Sequence, residues 1–320
     1  VTTGLGRKPT DADYGLGEHN LDADKLGLME ERELTERLVR TFKKPSYSPP
    51  RLPAVAMEIM ALSRKSEVEF KEVESLLERD PVLAGEVLSI ARSVHFSGIR
   101  PVRTLGAALV RIGLATLRTV VMQAALEMRV FRSEEYGGCM ERLRRHSLAT
   151  AHLSRLLSRY TPVSQDRAFL CGLMHDVGVA GILLVLGEVE QGKKAPDLAV
   201  LWPAIDGAHA VAGSRMVELW RLPRETSAAV AGHHRGRVAG IDDPMAATVC
   251  LAEAYSARCD FGLIPRDQEQ REKAGLPLHD GIDRSSPEVL ERARQVVDLT
   301  DDKLQRFLAE AEELAEKIEL

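Results

Sequence analysis

The sequence predicts an all-α protein on three observations. Aromatic residues make up only 4% of the 320 residues, and alanine and leucine dominate a hydrophobic content of 44%, a bias that favours helices packed on helices. Apolar residues recur at spacings of three and four along most of the chain. No stretch alternates polar and apolar residues for long enough to build a sheet.

The elements follow in order. About 28 leading residues, rich in Gly, Asp and Thr, carry no period and read as a flexible leader. Leu34, Leu38 and Phe42 then mark a short amphipathic helix over 30–43, so residues 1–48 are leader plus helix. The segment KKPSYSPPRLP, with four prolines in eleven residues, is a stiff connector. Residues 49–133 are expected to form an N-terminal bundle of about five helices. Within it Pro81 directly follows Asp80, a cap before a first-turn proline, and Gly113 separates two further helices. A second helical block spans 134–262. Residues 263–320 hold a turn-rich loop, a helix capped by Ser286 with Pro287 at its first position, and a last helix with Leu304, Phe307, Ala311, Leu314 and Ile318 on one face.

Charge and cysteines narrow the function classes. A net charge of -5 gives no global attraction for nucleic acid or an anionic membrane. Arg142, Arg144 and Arg145, with Arg155 and Arg159, read as a solvated helix face. Cys139, Cys171, Cys250 and Cys259 lack Cys-x-x-Cys spacing, which argues against a zinc ribbon or a disulfide framework and fits a reducing cytoplasm. The apolar run Val179 to Leu186 is too short to span a bilayer, and the N-terminus lacks an apolar signal core, so no membrane association is expected.

Residues 171–178 read CGLMHDVG and set His175 and Asp176 at the end of an apolar helix. At 100° per residue, His146 shares its face with Leu143, Thr150, Leu153 and Leu157, whereas His152 falls on the polar side with Glu141, Arg155 and Arg159. His209 follows Asp206, expected to cap its helix, and shares a stripe with Ala212, Gly213, Met216 and Trp220, small enough in part for another helix to approach closely. His233 aligns with Thr226, Ala229 and Val230, and His234 lies one step round. Glu253 sits on a face of Ala246, Val249, Cys250 and Ala257, where a carboxylate must find a partner or take up a proton. Singly, an inward histidine reads as a core hydrogen-bonding residue and a buried glutamate as a cap or an arginine partner. Together, imidazoles and carboxylates on five successive helices make a metal-capable pocket suited to Fe, Mn, Zn or Ni, with two carboxylates able to help bridge a metal pair.

The order His146, His175-Asp176, His209, His233-His234 and Glu253 resembles the HD superfamily of metal-dependent phosphohydrolases. The blocks LPAVAMEIMALSRK, ERDPVLAGEVLSIARSVHF, PVRTLGAALVRIGLATLRTVV, RHSLATAHLSRLL, FLCGLMHDVG and HAVAGSRMVELWRLPRETSAAVAGHH are similar to one branch of it, the HDOD domain, over about residues 50–262. The resemblance implies an N-terminal helical bundle packed on an HD-type helical core. It also implies a regulatory role in bacterial signalling with a signalling protein as partner, and makes Asp176 the candidate catalytic residue. Three departures argue against turnover. HHRGRVAGIDDP stands where the HD-GYP phosphodiesterases carry Gly-Tyr-Pro, Val179 stands where their catalytic lysine follows the His-Asp pair, and Glu253 replaces their last metal-binding aspartate.

The expectation is therefore a catalytically degenerate signalling module. The alternative is an active phosphohydrolase on nucleotides or cyclic dinucleotides, with His175, Asp176, His209 and Glu253 holding metal and His146 and His233 completing the shell. A third reading, nucleic-acid binding through Arg100, Arg103, Arg111 and Arg118, is weaker because helical spacing scatters the last two and the net charge is negative.

Overall fold

The structure, a computed structural model, describes residues 30–62, 68–93, 102–187, 197–264 and 286–317. Helix α1 (Glu31–Lys43) turns Leu34, Leu38 and Phe42 inward, as their spacing requires. It lies along α10, a helix of the second block, and not on the bundle that follows it in sequence. The predicted five-helix bundle is α2 (Ala54–Leu62), α3 (Phe70–Leu77), α4 (Pro81–Arg92), α5 (Leu105–Ile112) and α6 (Leu114–Arg129). Asp80 caps α4 by accepting from the Leu83 amide at 3.1 Å, with Pro81 supplying a preset φ where no amide is needed. Gly113, at φ 76° and ψ 150°, breaks α5 from α6 in a conformation that side-chain-bearing residues avoid.

The second block is built around α7 (Gly137–Leu157), flanked by α8 (Gln165–Met174) and later by α12 (Pro244–Arg258). Every residue of α9 (Val177–Gly187) from Val177 to Leu186 is buried, so this helix is apolar on all sides. Helices α8 and α9 run on as one stretch, Gln165–Gly187, long and apolar enough to cross a bilayer; 94% of its most apolar window is covered by the protein itself. The sequence run Val179 to Leu186 understates that length because the His-Asp step does not end the helical path.

Helix α10 (Leu198–Leu219) starts earlier than expected. Asp197 caps it, accepting from Ala199, while Asp206 lies in its interior and Pro203 is carried within it. Helix α11 (Arg224–Gly232) precedes a small hairpin, β1 (Arg237–Val238) and β2 (Ile241–Asp242), which the periodicity did not reveal. Its turn residues Ala239 and Gly240, both at positive φ, match the hand of a tight hairpin turn. Ser286 caps α13 (Pro287–Val296), and α14 (Asp301–Lys317) buries Phe307 against Tyr255, with ring centroids 5.0 Å apart. The leader, Arg100, most of the 263–285 loop and Ile318 lie outside the described residues. One hydrophobic cluster runs from Leu34 through the bundle into α7–α10, and a smaller one joins α7 and α12 to the C-terminal helices.

A candidate metal centre

Five elements deliver the site. His146 comes from the middle of α7 and His175 caps the C-terminus of α8, with Asp176 in the step before α9. His209 is mid-α10, His233 and His234 follow α11, and Glu253 is on α12. Two close approaches make the convergence possible. A Cβ on Gly172 would stand 2.6 Å from Ser154 Oγ and 2.8 Å from Ala151 Cα, so α8 lies directly on the backbone of α7. A Cβ on Gly178 would run into the carbonyl of His209 and the amide of Gly213, so α9 and α10 touch main chain to main chain there. That contact carries His209 to the carboxylate two residues before Gly178.

The geometry fixes which ring nitrogens face the centre. Nδ1–H of His146 donates to Phe261 O at 2.8 Å, that of His175 to Gly172 O at 2.7 Å, and that of His233 to Val230 O at 2.6 Å. A carbonyl only accepts, so each neutral ring carries its proton on Nδ1 and turns the Nε2 lone pair inward. His146 Nε2 and His175 Nε2 then face each other at 3.0 Å as two acceptors, an arrangement that requires a proton or a cation between them. His209 differs: its Nδ1 is buried with no hydrogen-bond partner among the described residues, and its Nε2 lies 3.2 Å from Asp176 Oδ1 and 2.8 Å from His234 Nε2.

Asp176 is the hub. Its Oδ1 lies 3.2 Å from His209 and 3.5 Å from His233, while its Oδ2 lies 3.5 Å from both His146 and His175. Two donor sets thus share one carboxylate: Asp176 with His209, His233 and His234, and Asp176 with His146, His175 and Glu253. Glu253 Oε2 stands 4.0 Å from His233 Nε2 and 3.7 Å from His234 Nδ1. Metal–nitrogen bonds of about 2.0–2.1 Å place neighbouring donors about 3.0 Å apart at right angles and about 3.4 Å apart at a tetrahedral angle. The His146–His175 and His209–Asp176 spacings of 3.0 and 3.2 Å fall in that range, the other Asp176 contacts at 3.5 Å lie just above it and Glu253 stands farther out, while the donor set of imidazole plus carboxylate suits a borderline divalent ion.

The centre is sealed from water on most sides. Asp176, His175, His209 and His233 have no exposed surface, and His146 is buried with them. His234, 22% exposed at its side chain, and Glu253, 7% exposed, form the solvent edge. Burial opposes the cation of His175, but the adjacent carboxylate of Asp176, aided by Glu253, outweighs it and raises its pKa above the ordinary imidazole value. For His233 burial prevails and lowers the pKa. Val179, in the position where a catalytic lysine was sought, is fully buried in the core.

The helical wheel placed several residues wrongly. His152 is buried and sets its ring edge against Phe169, because α7 is packed by neighbours on nearly all sides. Nor are the arginines of α7 simply solvated. The side chain of Arg142 is 12% exposed and donates to Gly262 O at 2.8 Å and Asp260 O at 3.2 Å, bracketing the very residue whose carbonyl orients His146. Arg155 reaches Thr119 of α6 at 3.0 Å and lies over the Phe169 ring. The main-chain acceptors Gly172, Val230 and Phe261 were missed altogether, since a carbonyl leaves no mark in residue type.

An all-α scaffold that gathers histidines and a buried carboxylate from successive helices defines the class. Residues 50–236 match the HDOD domain, more than half of the chain, and the chain belongs to that family. The match ends before Glu253. An HDOD domain protein of unknown function from Geobacter sulfurreducens shares the fold with TM-score 0.63 and 22% identity, covering 88% of this chain and 94% of its own. A candidate metal-dependent phosphohydrolase from Shewanella amazonensis gives TM-score 0.58 and 19% identity, covering 83% and 97%. A candidate signal transduction protein from Marinobacter aquaeolei gives TM-score 0.54 and 17% identity, covering 91% and 67%. No curated protein matches the chain.

Proposed function

We propose that this HDOD protein is a cytoplasmic bacterial signalling module whose Asp176 cluster holds divalent metal without turning over a phosphoester, and whose output passes through contacts with a partner protein. One observation carries the reading. Three imidazoles, locked by main-chain carbonyls with their lone pairs inward, surround the two oxygens of a fully buried carboxylate. Such acceptors call for a cation, and His146, His175, Asp176, His209, His233, His234 and Glu253 would hold it. Fe, Mn, Zn and Ni fit these donors. When bound, such an ion supplies Lewis acidity and a lowered pKa for water.

The chain's own residues supply orientation but little stabilisation for a leaving group. The backbone carbonyls fix ring direction, Arg142 holds the 260–262 segment, and Val179 leaves the space beside the His-Asp step apolar. Losing one electrostatic contact to a developing anion typically costs about 10²- to 10³-fold in rate. Family membership supports the signalling assignment. One feature favours the active alternative: His234 and Glu253 give the cluster an edge to solvent through which a nucleotide phosphate can approach.

The deciding experiment is a turnover assay of the purified chain with bis(p-nitrophenyl) phosphate, nucleotides and cyclic di-GMP at saturating Mn²⁺ or Fe²⁺. The proposal expects the parent to be as silent as Asp176→Ala while elemental analysis finds metal in the parent alone. Turnover that persists at metal saturation and disappears in Asp176→Ala establishes the phosphohydrolase instead.

A further inference from the structure

A second site lies where the bundle meets the second block. A cavity of about 680 Å³ opens between α2 and α6 on one side and α8, the end of α10 and the start of α11 on the other. Its volume falls in the range of small-molecule sites, about 300–1,000 Å³. None of its lining residues belongs to the metal cluster.

The charges of this cavity do not balance. Two acids line it, and both are engaged: Asp166 lies 3.7 Å from Arg155, and Glu225 pairs with Arg167 at 2.8 Å. Arg118, Arg221 and Arg224 also line it, and none of the three makes a side-chain hydrogen bond or ion pair among the described residues. Three of the four arginines that line this cavity therefore have no ion-pair partner among the described residues. Met57, Met60, Leu170 and Leu222 also line it and supply apolar surface.

Arg221 adds a second, independent sign. The α10 terminus is a Schellman turn, with Arg221 N bonding Glu218 O at 2.8 Å and Leu222 N bonding Val217 O at 3.2 Å. Arg221 occupies its left-handed position at φ 55°, where glycine is the unstrained choice. A side-chain-bearing residue kept at a glycine position beside a cavity is an observation that points to function.

We infer that this inter-bundle cavity binds a nucleotide, with phosphoryl oxygens on Arg118, Arg221 and Arg224 and the base against the methionine and leucine wall. Planar guanidinium forks match phosphate oxygens in pairs. Three unneutralised cations suit a ligand with two or more negative charges better than a single carboxylate. Thioether side chains give an adaptable, polarizable surface to a flat ring. Bound there, the ligand touches helices of both halves, which makes the cavity a place for a signal to be read. The inference stands apart from the metal centre and does not depend on it.

Fluorescence titration of the full chain with mant-GDP, displaced by unlabelled GDP and by pyrophosphate, tests it. The expected result is saturable binding, weaker by about tenfold or more in Arg118→Ala, Arg221→Gly or Arg224→Ala, unchanged in Arg32→Ala, an exposed arginine of α1 outside the cavity, and displaced far better by GDP than by pyrophosphate. Arg221→Gly is the key variant, because relief of backbone strain raises its thermal midpoint while affinity falls, so lost binding is not lost folding. No saturable binding, indifference to all three arginine variants, or an equal loss in Arg32→Ala overturns the site. Equal displacement by pyrophosphate overturns the role of the apolar wall, and a lower midpoint in Arg221→Gly overturns the argument from strain.

Discussion

The Asp176 cluster and the arginine-lined cavity both draw on helix α8, yet their chemistry is opposite. One gathers acceptors, imidazole lone pairs and carboxylate oxygens, away from water. The other gathers exposed guanidiniums, with its two lining acids already engaged by Arg155 and Arg167. The comparison separates two roles that an enzyme places together. A phosphodiesterase needs metal ligands and a cation beside the same phosphate; the arginines that line the cavity are not among the residues of the metal-capable cluster.

The comparison can be sharpened first where the cluster is assembled. Gly178→Ala forces a methyl into the main chain of α10, and overpacking of this kind costs about 3 kcal/mol. Gly85→Ala, on α4 with open space at its Cβ, is the control and should gain about 0.5–1 kcal/mol instead. Chemical denaturation of the two variants checks the contrast; equal effects mean that α9 and α10 are not in main-chain contact.

His175→Ala should cost about 1–3 kcal/mol even without catalysis, because it removes a neighbour from the fully buried Asp176. An unchanged thermal melt would show the pair to be solvated.

The smallest effect is a pH dependence of metal affinity. The folded pKa of His175 is raised, so in the metal-free chain this ring keeps its proton to higher pH than an ordinary imidazole. Metal must displace that proton; affinity therefore falls on acidification below the raised value, by up to about tenfold per pH unit for one proton, and levels off above it. Calorimetric titrations in buffers of different ionisation heat measure the proton released. Affinity independent of pH from mildly acidic to mildly alkaline conditions would break the assignment of His175 as a ligand.

Much of this fold is legible in the sequence, for reasons that differ by region. Asp80 before Pro81, Gly113 and Ser286 before Pro287 are local signals, set by a few backbone groups, and the structure has helix boundaries at each. The inward phases of His146, His209 and Glu253 were readable because each shares a stripe with small or apolar neighbours. Phase fails where a helix is covered all round, as α7 is, and so His152 was set on the wrong side and Arg142 and Arg155 were taken for surface charges. Asp206 reads as a cap in the sequence, yet the helix already starts at Leu198 and carries Pro203 in its interior. The carbonyls that lock three imidazoles, and the cavity formed between bundles, depend on contacts between segments far apart in sequence and leave no periodic trace.

The central claim is that the Asp176 cluster exists to hold a cation. Elemental analysis of the purified chain beside Asp176→Asn, a near-isosteric variant that removes the charge, tests it most directly when joined to thermal melts before and after chelation. The account predicts stoichiometric divalent metal in the parent, its loss in Asp176→Asn, and a chelation-dependent drop in stability of about 4 kcal/mol when metal is present at a thousand times its dissociation constant. A parent that carries no metal after saturation with Fe²⁺, Mn²⁺, Zn²⁺ and Ni²⁺ in turn, and that melts at the same temperature with and without chelator, would contradict it.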